Sequence, residues 1–224
     1  MNNSILYLDI GNTFAKWKFQ NKYFSNLTSE FDFNKLQKVS KVLVSNVYSK
    51  EIDFLNANIQ SVQASKTYKS LINAYKEPKH LGADRWLAMI ACYEKKLNTS
   101  FLIIDIGTAV TFDLVDKTGV HKGGLIFPGL DRVRSSFLAF HANTNHELFS
   151  LGKNTEDAWS LGTLSLVYNG INQNVQYLQS KNPDLMIYIT GGGFYELKDF
   201  LNFSYTYEKN LVLDGLELFA NNVG

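Results

Sequence analysis

Cysteine is almost absent from this chain. A single Cys92 stands among 224 residues, which excludes an internal disulfide and any disulfide-built scaffold. Prolines number three, too few for a polyproline segment or a stiff Pro-rich linker. Charge of one sign is lacking as well: 22 Lys and Arg oppose 21 Asp and Glu. A net charge of +1 offers no electrostatic field for nucleic acid or an anionic membrane. No apolar run approaches the roughly 20 residues of a bilayer span. The opening residues MNNSILYLDIG are polar and then strand-like, without a basic region or a small-residue cleavage site. The expectation is a cytoplasmic protein with neither a nucleic-acid nor a membrane partner. Several catalytic signatures are also missing: G-x-x-x-x-G-K-[ST], G-x-G-x-x-G, G-x-S-x-G and H-E-x-x-H. Any use of ATP must therefore proceed without a P-loop. His80, His121, His141 and His146 show no metal-ligand spacing with Cys92, and no chemistry is assigned to them.

What is present is a chain of ordinary globular composition, 45% hydrophobic and 19% charged, that states one phrase twice. Residues 6–19 read LYLDIGNTFAKWKF and residues 102–115 read LIIDIGTAVTFDLV. Each is an apolar run ending in Asp-Ile-Gly, followed by a short polar turn and a second strand-like run. Superposed without gaps, Asp9 meets Asp105, Gly11 meets Gly107, Asn12 meets Thr108 and Lys16 meets Phe112. The separation is a little under half the chain, which points to two copies of one folding unit, residues 1–98 and 99–224.

Strands are expected at 5–10, 14–19 and 23–27, with polar hairpin connections between them. Further strands are expected at 42–47 and 59–64 with a helix between. A helix starting near Gly82 or Ala83 presents Trp86, Ile90, Tyr93 and Leu97 on one apolar face. The second half restarts at 101–106 and runs as a hairpin to 115. A turn at 116–119 and a glycine-rich connection over 123–129 follow. The longest helix follows Asn154, with Leu161, Leu164, Tyr168, Ile171, Val175 and Leu178 at steps of three and four. Asn154 and Asp157 form a variant of the capping box. A buried strand over 185–190 ends in Gly191-Gly192-Gly193. Runs of strands followed by alternating helix and strand define an α/β fold.

An Asp closing a buried strand can hold a hard cation through oxygen. Gly11 lets backbone approach a phosphate, and turn N–H groups form an anion-binding concavity. Asn12 and Thr13 add neutral donors, and Lys16 can reach phosphate oxygens as a point charge. One such turn would be unremarkable; two at matching positions favour a phosphate- and metal-binding role. Asp105, Gly107 and Thr108 keep those parts in the second copy without the lysine charge. Between the copies lies YKEPKHLGADR, residues 75–85. Asp84 in a first helical turn can accept a proton from a substrate hydroxyl, and Arg85 can clamp a carboxylate. Taken alone, that stretch reads better as an ordinary helix start. The glycine runs at 123–124, 128–129 and 191–193 are weak signals by themselves, and Asp131, Arg132 and Arg134 mark a charged helix start.

Together these residues resemble the type III pantothenate kinases, a bacterial family of the actin/Hsp70/sugar-kinase superfold. The resemblance is carried by DIGNTFAK (9–16), Tyr75, LGADRW (81–86), DIGTAVTFD (105–113), GGLIFPGL (123–130), NTEDA (154–158), TGGG (190–193) and NLVLDGL (210–216), all in order. It implies two tandem RNase H-like lobes, each a mixed sheet with flanking helices, and a nucleotide cleft between them. It also implies transfer of the ATP γ-phosphate to pantothenate, the first step towards coenzyme A. By position, Asp9, Ile10, Gly11, Asn12, Thr13, Phe14, Ala15 and Lys16 correspond to the ATP-phosphate segment and Thr108 to a further ATP contact. Asp84 corresponds to the proton acceptor. Tyr75, Gly82, Ala83, Asp84, Arg85 and Thr155 correspond to pantothenate contacts, and Asp105 to the site of a monovalent cation, K⁺ or NH₄⁺. ATP with Mg²⁺ and a homodimer are further implications. The competing expectations are another small-molecule kinase of the same superfold, which Tyr75, LGADR and Thr155 disfavour, and an ATP-binding transcriptional accessory protein. Intact Asp84, Lys16 and Asp105 argue against the second, since a pure binder needs no base.

Overall fold

A strand that is apolar along most of its length belongs where both its faces are covered. In the computed structural model of this chain, which describes residues 5–32, 39–48, 58–96, 98–137, 139–142 and 150–223, β1 (Ile5–Ile10) is such a strand. It pairs antiparallel with β2 (Phe14–Phe19), which pairs antiparallel with β3 (Lys22–Leu27). The β2–β3 connection is two residues long. Gln20 and Asn21 both adopt positive φ (47° and 60°), the backbone of a type I′ turn, whose twist matches that of the strands. All six residues of β3 are exposed, as suits a strand at the sheet edge. On its other side β1 pairs parallel with β4 (Lys41–Asn46), which pairs parallel with the short β5 (Ile59–Ser61). The order is β3-β2-β1-β4-β5. The expected helix between β4 and β5 falls largely on residues outside those described, as do Leu97 and His146.

A two-stranded ribbon, β6 (Thr67–Tyr68) and β7 (Leu71–Ile72), precedes α1 (Ala83–Tyr93). The helix begins where the sequence signals it, with Gly82 as N-cap. It is buried nearly all round, Trp86, Ile90 and Cys92 fully so.

The second sheet repeats the first. β8 (Phe101–Ile106), β9 (Ala109–Val115) and β10 (His121–Pro128) are followed by α2 (Leu130–Arg134), α3 (Thr155–Lys181), β11 (Met186–Thr190), α4 (Phe194–Leu197) and β12 (Thr206–Tyr207). Its order, β10-β9-β8-β11-β12, is that of the first sheet strand for strand, again with parallel pairs beyond the central strand. The glycine-rich stretch expected as a connection is largely the strand β10. Asn154 caps α3, its Oδ1 accepting from the Asp157 N–H at 2.8 Å. The α3 stripe Leu164, Val167, Tyr168, Ile171 and Val175 is buried against Leu102, Ile104, Val110 and Ile187 of the sheet. Each such aliphatic side chain contributes about 1.5–3 kcal/mol by leaving water.

The chain closes with α5 (Leu211–Val223). It divides into two compact units: Met1–Asn98, Val115–Gly123 and Asn210–Gly224 in one, Thr99–Leu114 and Gly124–Lys209 in the other. Compared with lobes of 1–98 and 99–224, the β9–β10 hairpin tip and α5 join the first unit. The tip does so through the Ile72 N–H, which donates to Gly119 O at 2.9 Å. For α5 the contacts are close packing on α1 and the Lys18–Glu217 ion pair at 2.5 Å. Burial works to lower the Lys18 ammonium, but bonds to Glu217 and Tyr23 outweigh it and hold its pKa above the usual value. Among the described residues no helix is long and apolar enough to cross a membrane.

Candidate active site

In the first unit, Asp9 and Lys16 are direct partners across the β1–β2 ladder, so their side chains leave the same face of the sheet. Ile10 and Ala15, the next pair, are fully buried. They can therefore offer a ligand only backbone, whereas Phe14 is exposed. The turn between them closes through the Gly11 N–H, which donates to Phe14 O at 3.0 Å. Thr28 braces it from below, its hydroxyl donating to Gly11 O at 2.8 Å and its N–H to Thr13 O at 2.9 Å. Sequence reasoning passed over buried Thr28, because nothing local ties it to a turn 17 residues away.

The strand β4 delivers a second element to this turn. The Val47 N–H donates to Ile10 O at 3.1 Å, and Asn12 Nδ2 donates to Val47 O at 3.4 Å. Val47 Cγ1 also lies 3.8 Å from where a Cβ on Gly82 would stand. The Asp9–Lys16 segment and the start of α1, 70 residues later in the chain, thus converge on Val47. Asp84 folds back over the helix N-cap: its Oδ1 accepts from the Arg85 N–H at 2.7 Å. A Cβ at position 82 would meet that same oxygen at 2.5 Å. Gly82 has φ −55° and ψ 137°, open to any residue, so what glycine provides here is room for the Asp84 carboxylate in this rotamer and not backbone freedom.

Arg85 is buried. Its Nη1 donates to Tyr75 Oη at 3.0 Å and its guanidinium carbon sits 5.8 Å from the Tyr75 ring centre. Tyr75 is also held by its backbone. Its N–H donates to Asn73 Oδ1 at 2.9 Å, and Lys66 Nζ donates to Tyr75 O at 3.5 Å. Asn73 is fully buried and its amide donates to Ser65 O and Pro78 O, knitting the 65–78 segment into one shape.

In the second unit Asp105 ends β8 and pairs in register with Thr190 of β11. Of the glycines judged weak in the sequence, Gly129, Gly191 and Gly193 pack on this turn, whereas Gly123 and Gly192 face open space. Gly191 has φ +97°, and a Cβ there would stand 2.4 Å from Asp105 Oδ1 and 2.3 Å from Ile106 O. The Gly193 N–H donates to Ile106 O at 2.8 Å. The Gly129 N–H donates to Thr108 O at 3.0 Å, and a Cβ at 129 would overlap Gly107 O. Tyr207 is pushed up to about 12 by burial, by its bond with Tyr195 and by the nearby charge of Asp105. Thr155 is the exposed first residue of α3, next to its cap.

The ungapped match of the two copies needs one correction. The second turn is a residue shorter: Gly107 N–H reaches Ala109 O at 3.0 Å, where Gly11 reaches Phe14. Buried Ala15 then corresponds to buried Val110, and Lys16 corresponds to half-buried Thr111 instead of Phe112, which lies in the core. The missing charge stands, carried by a different residue.

Carboxylates and glycine turns at the end of each central strand, on a duplicated mixed sheet, are the architecture of the actin-like ATPase and sugar-kinase fold. A non-polymerisable ParM variant shares that fold with a TM-score of 0.53 over 98% of this chain and 99% of its own, at 11% identity. A Campylobacter jejuni protein described as a Baf family transcriptional activator is closer, with a TM-score of 0.64, 27% identity, and 96% and 97% of the two chains covered. The type III pantothenate kinase of Hahella chejuensis is 38% identical over 198 residues, 82% of this chain and 79% of that one. The family model for type III pantothenate kinase matches residues 5–176. This chain belongs to the type III pantothenate kinase family and is an ATP-dependent kinase.

Proposed function

We propose that the chain transfers the γ-phosphate of ATP to the primary hydroxyl of pantothenate, with Asp84 as the proton acceptor. The observation that supports this reading best is the convergence of Asn12 and Gly82 on Val47. It brings a phosphate-binding turn and a carboxylate at a helix start together within one unit. Asp84 takes the hydroxyl proton as the oxygen attacks phosphorus and ADP departs. Lys16, Asn12, Thr13 and the turn N–H groups offset the charge of the phosphate oxygens, and Thr108 is a further ATP contact by family resemblance. Arg85 and Tyr75 hold the pantothenate carboxylate end, with Ala83 and Thr155 as further contacts. Phosphoryl transfer asks mostly for such positioning and neutralisation.

Among the described residues no group of three or more His, Cys, Asp or Glu could hold a metal ion. Magnesium does not require one, since it binds through one or two carboxylates plus substrate phosphates, and Asp9 suits that role. Held there, Mg²⁺ would supply positive charge against the phosphates of ATP. The family resemblance assigns Asp105 to K⁺ or NH₄⁺, and the close packing of Gly191 on its carboxylate supports a backbone-lined site there. Phe137, Phe140 and Trp159 form an aromatic cluster whose two phenylalanines are exposed, a surface suited to a homodimer. A cytoplasmic location accords with ATP as substrate and with one buried thiol. The regulatory reading has only the description of the Campylobacter protein in its favour and leaves Asp84 unused.

Release of ADP tests the proposal. We expect it to require pantothenate, to rise with K⁺ or NH₄⁺ over Na⁺, and to fall by about 10²–10⁴ in kcat for Asp84→Asn with ATP affinity kept. ADP release that ignores pantothenate, or a variant with normal turnover, would overturn it.

A further inference from the structure

His121 belongs to none of the motifs that carry the family resemblance, yet the fold sets it directly behind Tyr75. Its ring stacks on the Tyr75 ring, with centroids 6.2 Å apart and planes 11° from parallel. Its Nδ1 accepts from the Ala74 N–H at 3.4 Å. The imidazole is buried, 1% exposed, in the first unit together with Tyr75 and Arg85.

Its own position is built, not incidental. The turn ahead of it is tied by Asp116, whose carboxylate accepts from the Thr118 N–H, the Thr118 hydroxyl and the Val120 N–H at 2.6–3.0 Å. Gly119 closes that turn at φ +85°, where a Cβ would stand 2.9 Å from Ser70 O. Gly119 O then accepts from the Ile72 N–H, three residues before Tyr75. The hairpin tip thus reaches the 65–78 segment at two points, backbone at Gly119 and imidazole at His121.

Tyr75 is consequently fixed on three sides: Asn73 and Lys66 hold its backbone, Arg85 its hydroxyl, and His121 one face of its ring. We infer that His121 is a positioning residue for pantothenate. It holds the Tyr75 ring, and through Tyr75 Oη the Arg85 guanidinium, in the orientation that binds substrate. This rests on the reading of Tyr75 and Arg85 as pantothenate contacts. Aromatic pairs of this geometry contribute modest energies, so the effect belongs in substrate binding and not in the chemical step.

Steady-state kinetics with varied pantothenate and varied ATP, together with thermal midpoints, test this in the full chain. His121→Ala is expected to raise KM for pantothenate by roughly five- to tenfold while KM for ATP and kcat stay within about twofold. His121→Phe, which keeps a ring face behind Tyr75, is expected to recover most of that loss, and His121→Asn, which keeps only the acceptor, to recover little. Should His121→Ala not fold, the Phe and Asn variants carry the comparison alone. An unchanged KM for pantothenate in folded variants would overturn the inference, as would a parallel rise in both KM values, the mark of general destabilisation. Tyr75→Ala is measured alongside. If it raises KM for pantothenate and the His121 variants do not, this inference alone fails. If Tyr75→Ala has no effect, the assignment of Tyr75 fails and takes the inference with it.

Discussion

Asp116 shows how one side chain can serve a site it never touches. Burial acts to raise its carboxyl, but hydrogen bonds from Thr118 and Val120 and the charge of Lys122 outweigh burial and hold it below the ordinary 3.8. A carboxyl depressed in the folded state stabilises the fold above its unfolded value, and that contribution disappears as pH falls through the folded value. Urea midpoints of the wild type should therefore exceed those of Asp116→Asn most clearly at neutral pH. The gap should begin to close near the ordinary 3.8 and vanish below the depressed value. A gap independent of pH would mean that the turn does not depend on the carboxylate's charge. At this scale the sequence was uneven in what it revealed. Asp9, Gly11, Asp84 and Asp105 announce themselves by type and spacing. Thr28 and His121 act through partners distant in the chain, and no local pattern marks such a residue.

Among the elements, α5 is the least legible in sequence and the most tightly fitted. Gly215 in its interior argues against a helix, since glycine there costs about 1 kcal/mol relative to alanine. The structure supplies the reason for it: a Cβ at 215 would stand 1.9 Å from Leu87 O on α1, so the two helices meet backbone to backbone. Gly215→Ala, which ought to favour an isolated helix, should instead destabilise the protein by about 1–3 kcal/mol through overpacking. Chemical denaturation measures this, and an unchanged or raised midpoint would count against such close packing. The paired strands β6 and β7 escape sequence reading because two residues carry no period. β10 escapes it because Gly123 and Gly124 suggest a loop, although a strand at the sheet edge tolerates them. The β1–β2 and β8–β9 hairpins were readable, but the one-residue difference in their turns was not. It appears only in which carbonyl each glycine N–H reaches.

For the whole molecule, the repeated Asp-Ile-Gly phrase led directly to two sheets of identical strand order, because each copy must bury the same apolar run beside the same turn. The assignment of α5 and the β9–β10 tip to the first unit lay beyond sequence, since both are contacts over long separations. The proposed homodimer is also tested at this scale. Sedimentation velocity should give about twice the chain mass at micromolar concentration, and Phe137→Asp with Phe140→Asp should return it to the monomer. A wild-type monomer throughout would remove the aromatic surface from that role.

The return of α5 has a consequence for the chain as it is made. The unit begun first is completed last: Glu217 and Asp214 meet Lys18 and Tyr23, and Leu218 and Asn222 meet Tyr68. A nascent chain that has left the ribosome up to residue 209 holds the entire second unit and an uncovered first one. Domains usually settle in the order of synthesis. Here the later-made unit can settle first, and the segment carrying Asp9, Tyr75 and Asp84 waits for the final helix before it becomes a binding surface.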